Sequence, residues 1–474
     1  TRKHDDQVVS IPAQASAVVN KALKLVALQR KANAEKKVGV LFWNYPPGEK
    51  NLSASYLNLP RSLEATLQAL KAAGYRTEEV AEKPLTTLLQ RLLAPYYRDG
   101  ELPGLLRDDL AERLPVAVYK RWLATQPDAV RRSLQERWGE PEKSAMVLRQ
   151  DGQAWFIVPR LKLGNVVFMP QPPRGEKWEE KEKALYHSTK ALPSHFYLAA
   201  YLWLRERQGE GEKSGANGSG FGADALIHYG THGTQEWLPG KERGLAVSDA
   251  PMLAVGDTPV LYPYIVDNIG ESLQAKRRGR ATIISHQTPP FVPAGLHEAL
   301  TRLHDTLHAW LAQDEGAVKE KLKADLLAQA KKERIDKDLG WAGSDGEARL
   351  QQEFPAFVEQ LHDHLHELAR TAQPLGLHTF GRAPAEVHRL GTVLLMLGKP
   401  FWEAHAAPGE EADETLVGDY RKLSESAPYR LLKRYLVEQP QATPPAALAE
   451  TVARARRWYA DLGAGNEQAA LLQG

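Results

Sequence analysis

Lys37-Val38-Gly39-Val40-Leu41-Phe42 is followed, after Trp43, by Asn44-Tyr45-Pro46-Pro47-Gly48. An apolar run of this length ended by Asn, Pro and Gly reads as a buried strand that empties into a loop. From residue 62 to 73, Leu63, Leu67 and Leu70 recur at helical spacing, and Gly74 is placed to close that helix as its C-cap. Strand, loop, helix and then Gly74-Tyr75-Arg76-Thr77-Glu78 is the opening of a layered α/β unit.

Working outward, residues 16–35 read as an amphipathic helix with Val18, Ala22, Leu25 and Leu28 on one face, and residues 84–138 as mostly helical and charged. Downstream, 154–159 and 165–169 are strand candidates separated by a short turn, and 192–205 is an aromatic, apolar stretch expected as a buried helix. Residues 206–222 form a Gly/Ser-rich linker or mobile loop. Further strands are expected at 223–227, 260–266 and 281–285. Beyond 295, Leu296, Leu300, Leu303, Leu307 and Trp310, and later Leu361, Leu365 and Leu368, repeat as helices do. The expected organisation is a helical lead-in (1–36), an α/β domain (37–150), a second α/β domain (151–295) and a mainly helical region (296–474). The sheet is expected to be mostly parallel, within a larger multidomain subunit.

Composition narrows the function classes. The 474 residues are 43% hydrophobic, enough for about two to four packed domains. Lys+Arg (61) and Asp+Glu (59) nearly cancel to +2, which argues against nucleic acid as a partner. There is no cysteine, so a metal would have to be met by imidazole or carboxylate, and a reduced, cytoplasmic setting is expected. No apolar window reaches the roughly 18 residues of a membrane span. The start, Thr1-Arg2-Lys3-His4-Asp5-Asp6, and the uncapped helix-like end read as cuts in a longer polypeptide.

The chemistry is densest in His228-Tyr229-Gly230-Thr231-His232-Gly233-Thr234-Gln235-Glu236-Trp237-Leu238-Pro239-Gly240-Lys241, which leaves the strand 223–227. Ligands of α/β sheets collect at the carboxyl ends of strands, and glycines let backbone approach them closely. His228, His232 and Glu236 follow one another at four-residue intervals. Imidazole and carboxylate are suitable both as ligands of a borderline divalent cation and as proton acceptors near neutral pH. Alternatively, the two histidines bond to backbone and only shape the turn. The pairs His304/His308 and His362/His366 have helical i,i+4 spacing and could hold a metal, but without a third ligand in the pattern they read as polar helix faces. Gly218–Gly222 lacks the Gly-Lys-Ser/Thr ending of a phosphate loop, so the chain itself is not expected to bind ATP that way.

The string HYGTHGTQEWLPGK resembles the signature of the CobN and magnesium-chelatase H family. Further segments are similar to the family pattern, in order: Asn44–Gly48, Ser55–Asn58, Gln171–Gly175, Tyr186–Ser188, Pro193–His195, Leu261–Val266, Gly270–Arg278, His286–Pro290 and Gly376–Gly381. Trp237-Leu238 and Gly270-Glu271 with Gln274 look like the cobalt branch, where the magnesium branch has Phe-Met and Ser-Glu with Ile; Ile269 and Gln287 depart from the pattern.

The resemblance implies a large substrate-binding subunit inserting Co2+ into hydrogenobyrinic acid a,c-diamide. ATP and Mg2+ would be handled only by separate partners, an AAA+ ATPase and an integrin-I/MIDAS-type subunit. It implies Glu236 as proton acceptor, with His228 and His232 presenting the metal. Lys276, Arg277 and Arg278 would hold substrate carboxylates or brace the site, with Lys241 and Arg174 adding to them. Glu271 is either a second acid–base group or an ion-pair partner of that cluster. His187 and His195 could line the cleft or be structural. Competing readings are a magnesium chelatase acting on protoporphyrin IX, a zinc hydrolase with His228, His232 and Glu236 as ligands, and a scaffold without catalysis.

Overall fold

The structure, a computed structural model, describes the chain except residues 1, 5–6, 45–47, 55, 178–189, 207–219, 231–234, 290, 294–295, 371, 375 and 411–419. It divides into two compact units, residues 1–288 with 377–382 and 465–474, and residues 289–376 with 383–464. Most of the loop expected at 206–222, and with it His187 and His232, lies outside the described residues.

The first unit carries a short hairpin (Arg2–His4 with Gln7–Val9) and helix α1 (Pro12–Arg30), and is built on a six-stranded sheet. Its elements are strand β1 (Val38–Phe42), helix α2 (Leu59–Ala72), strands β2 (Leu161–Leu163) and β3 (Val166–Pro170), helix α3 (His195–Arg205), strands β4 (Ala225–Tyr229) and β5 (Val260–Ile265), helix α4 (Ile269–Arg278) and strand β6 (Ala281–His286). The strand order is β6-β5-β4-β1-β3-β2, and all neighbours are parallel except the edge strand β2. Every residue of β1, β3 and β4 is buried, as expected of parallel strands covered on both faces. At Gly39 an added Cβ would sit 2.7 Å from Leu204 Cδ1, so glycine sets how closely α3 lies on the sheet. In α2, Leu63, Leu67 and Leu70 are buried as their spacing predicts; each such leucine contributes about 1.5–3 kcal/mol of apolar burial.

The chain visits the parallel strands in the order β1, β3, β4, β5, β6, while in space β1 lies between β3 and β4. This is the 2-1-3-4-5 order of doubly wound sheets, whose connections reverse direction between the first and third strands and open a crevice there, beyond the carboxyl ends. Phe42 and Tyr229, paired in register, end their strands at that point.

Two expectations are corrected. Residues 37–150 and 151–295 do not make separate domains, because β1 is hydrogen-bonded between strands from the later segment. The strand expected at 154–159 spans Gln153–Pro159 and forms an antiparallel sheet with Ala111–Pro115 and Val147–Gln150. In α1 the inward face is Ala17, Lys21, Leu25 and Leu28, whereas Val18 and Ala22 are exposed. The helix starts at Pro12, and its apolar residues fall on two overlapping faces, only one of which is turned inward.

The second unit is mainly helical. Helices α5 (Glu298–Leu311) and α6 (Phe354–Arg370) bury Leu300, Leu303, Leu307, Leu361 and Leu365 in a common core. Leu368, on the same repeat, is exposed. A last helix, α7 (Glu467–Gln473), belongs to the first unit. Among the described residues no helix is long and apolar enough to cross a membrane.

Candidate functional site

β4 carries His228 opposite Leu41 of β1, beside the switch point of the sheet. Its side chain is 2% exposed, with Nε2 3.4 Å from Tyr201 Oη on α3 and the ring edge-on to Tyr262 of β5 at 5.2 Å. Nδ1 has no hydrogen-bond partner among the described residues. Burial disfavours the imidazolium and lowers the His228 pKa to about 3, so the ring is neutral near pH 7. Gly230, at φ +125°, turns the chain out of the sheet; a Cβ there would lie 2.4 Å from Trp43 Cβ.

Glu236 lies on the short 3-10 turn Gln235–Trp237 and is 0% exposed. Tyr262 Oη donates to Glu236 Oε1 at 3.0 Å. The tyrosine therefore joins the two groups: its ring packs on His228 and its hydroxyl holds Glu236. Next to it, Tyr264 Oη donates to Glu271 Oε2 at 3.0 Å, and Tyr201 Oη donates to Gln171 Oε1 at 3.1 Å. Sequence reasoning passed over these tyrosines. Tyr262 and Tyr264 are two apart on a strand and so share a face, which is the signal that could have found them.

The basic triplet splits. The Arg278 guanidinium is used on backbone: Nε donates to the carbonyl of Glu236 at 2.7 Å, Nη2 to that of Leu238 at 2.6 Å, and Nη1 to that of Lys241. It is thus a brace of the 236–241 segment. Lys276, Arg277 and the Lys241 side chain are exposed. Arg174 is buried, with Nη2 donating to the Ala191 carbonyl at 3.1 Å. His195 is buried at the start of α3, its Nδ1 2.8 Å from Tyr119 Oη and its Nε2 3.0 Å from the Gly139 carbonyl, so both nitrogens are engaged within the fold. Asn44 builds the loop after β1: its Nδ2 donates to the Gly48 and Asn51 carbonyls, and Tyr97 Oη donates to its Oδ1.

Two cavities of about 250 and 220 Å³ are lined by residues such as Ala17, Arg205 and Asp257, and Leu28, Tyr75 and Leu261, and neither reaches His228 or Glu236. The two side chains converge but lie beneath the surface.

The histidines expected as polar helix faces are also placed differently. His304 and His366 are buried, and together with His308 they form the group of potential metal ligands found among the described residues.

Residues 1–471 match the family described as CobN/Magnesium Chelatase. The chain is 33% identical over 394 residues to the aerobic cobaltochelatase subunit CobN of Pseudomonas aeruginosa, covering 82% of this chain and 29% of that protein. It is 27% identical over 391 residues to the chloroplastic magnesium-chelatase subunit ChlH of Oryza sativa subsp. indica, covering 82% of this chain and 26% of that one. The catalytic subunit of cobaltochelatase from Mycobacterium tuberculosis superposes with a TM-score of 0.67 at 28% identity, covering 100% of this chain and 38% of that one. The chain therefore spans less than a third of the length of these two curated relatives. With the fold, the ordered motifs and the relatives in agreement, the chain belongs to the CobN/magnesium chelatase family.

Proposed function

We propose that this chain is the metal-inserting portion of a tetrapyrrole chelatase subunit, acting on Co2+ and a corrin precursor such as hydrogenobyrinic acid a,c-diamide. The observation that carries this reading is the convergence of His228 and Glu236 on Tyr262, at the carboxyl edge of the sheet beside its switch point. Insertion needs a ligand for the incoming cation and an acceptor for the two pyrrole N–H protons that leave as it enters. His228, whose pKa burial lowers to about 3, is a poor base but a neutral imidazole with an available lone pair, which suits it to the cation. Glu236 is the proton acceptor, passing each proton on to solvent, and His232 joins His228 on the metal. Because both described groups are enclosed, productive binding requires the 236–241 segment to part from Tyr262, and Arg278 sets how far that segment moves. Lys276, Arg277 and Lys241, all exposed, meet the carboxylate arms of the macrocycle.

Cobalt is preferred to magnesium on Trp237-Leu238 and on Gly270-Glu271 with Gln274, which follow the cobalt branch of the family pattern. ATP hydrolysis is assigned to separate AAA+ and MIDAS-type partners, and the setting to the cytoplasm. The test is Co2+ insertion with the intact subunit, its two partners, ATP and the corrin precursor. Glu236→Gln should slow insertion by about 100- to 10,000-fold while leaving binding of the precursor in place. An unchanged rate removes Glu236 from the reaction, and tighter binding of protoporphyrin than of the corrin precursor transfers the assignment to magnesium.

A further inference from the structure

α5 and α6 each carry two histidines four residues apart, His304/His308 and His362/His366, a spacing that puts both members of a pair on one helix face. Leu303, Leu307, Leu361 and Leu365, each one position earlier, lie in the core shared by the two helices, so the histidines border the same seam. His304 Nε2 is 3.1 Å from His308 Nε2 and 3.3 Å from His366 Nε2. The His362 ring stacks on His366 at 4.1 Å and lies 5.6 Å from that of His308.

A neutral imidazole nitrogen has either one proton or one lone pair. His304 Nε2 faces two other Nε2 atoms, so whichever tautomers are chosen it serves only one of the two contacts well, and protonating the group sets like charges against each other. A cation at the centre uses all three lone pairs at once. The distances suit one: a tetrahedral ion with bonds of about 2.0–2.1 Å to nitrogen holds its ligand nitrogens about 3.3–3.4 Å apart. The ligand atoms all lie within 4.8 Å of one another, and His308 and His362 are only half-buried. Asp305 Oδ1 stands 3.9 Å from His304 Nδ1, and Asp363 Oδ1 3.5 Å from His362 Nδ1. Carboxylates on that side favour Nδ1–H and so leave Nε2 as the ligating atom.

We propose that His304, His308 and His366 bind one borderline divalent transition-metal ion, Zn2+ or Co2+, through their Nε2 atoms, with His362 or water completing the shell. An imidazole set without thiolate fits these ions and does not fit Mg2+ or Ca2+. The site lies in the helical unit and does not depend on the role given to Glu236.

The experiment uses the purified 474-residue chain, stripped with a chelator and titrated with CoCl2 at pH 7.5. Visible absorption, bound metal per chain after gel filtration, and the unfolding temperature with and without metal are recorded. With His228 and Glu236 enclosed in the absence of the macrocycle, one ion per chain is expected, with the strong visible band of low-coordinate cobalt, a metal-dependent rise in Tm and displacement by ZnCl2. His304→Gln/His366→Gln should weaken binding by more than about 100-fold, exceeding the roughly 10- to 100-fold loss of an outer-shell partner. Since that double variant alters buried residues, the half-exposed His308→Gln is measured beside it. With the circular dichroism of the parent, it should lose the band and the metal-dependent rise in Tm. Glu236→Gln should keep both. Zinc that survives purification marks a resident ion, and cobalt that exchanges freely marks cargo; either supports the site. Binding of equal strength in the parent and in His308→Gln, or no stoichiometric binding by a folded parent, overturns it.

Discussion

At the scale of single residues, the site is set by side chains that hold other groups in place. Arg278 was expected to meet substrate carboxylates or to brace the site, and its guanidinium reaches the carbonyls of Glu236, Leu238 and Lys241. Only a planar group with five donors serves three carbonyls on one turn of chain; an ammonium on a flexible stem does not. Arg278→Lys should therefore cost about 1–3 kcal/mol for each buried carbonyl left without a donor, read as a lower denaturant midpoint. Insertion should fall with it, as Glu236 loses its placement, while binding of Co2+ at the histidine cluster should not change. The two-residue step from Tyr262 to Tyr264 was open to a sequence reading, whereas the Tyr262–Glu236 bond was not, because those residues are distant in the chain and meet only when β5 lies beside β4.

At the scale of elements, one carboxylate ties α7 to two other segments. Glu467 accepts from His378 Nε2 at 2.9 Å, from the Gln287 backbone N–H at 3.1 Å, and from the Gly381 backbone N–H. Burial presses its pKa upward, and the hydrogen bond and charge of His378 with the two backbone donors outweigh that and hold it below the usual value. Glu467→Ala should destabilise the chain by about 2–3 kcal/mol, the range of a charge-assisted hydrogen bond, measured by denaturant unfolding. Amide exchange should also rise across residues 467–473. The motifs around His286 and His378 were recognisable as segments; that their histidines stack at 5.6 Å, and that His378 and the Gln287 N–H meet a carboxylate from a helix beyond residue 465, depends on contacts that no local pattern encodes.

For the whole molecule, the buried histidines set the response to acid. Burial lowers His228 to about 3 and His286 to about 4, from an ordinary value of 6.5. Above that value both folded and unfolded states are neutral and neither ring affects stability. As pH falls below it, the unfolded chain takes up protons that the folded chain excludes, so each ring removes about 1.4 kcal/mol per pH unit until the folded state also protonates. Glu467, held below its ordinary value, adds to the loss once pH passes under about 4.5. Urea unfolding followed from pH 8 to pH 4 should show a plateau above pH 7 and a fall below about 6.5. His286→Gln, if it folds, should flatten the slope by about one proton.

What the amino-acid order determined is what short-range physics controls: apolar runs that make buried strands, leucine spacing that makes α2, α5 and α6, and a turn rich in glycine that ends β4. The family signature is legible for the same reason, since its motifs are contiguous. The tertiary structure alone decided which strands are neighbours, placing β1 between β3 and β4 and removing the domain boundary expected at residue 150. It alone enclosed His228 and Glu236 around Tyr262, and it alone brought two unremarkable i,i+4 histidine pairs to one point. Sheet order and helix pairing are chosen by burial summed over residues far apart in the chain, and that sum is not carried by any single segment.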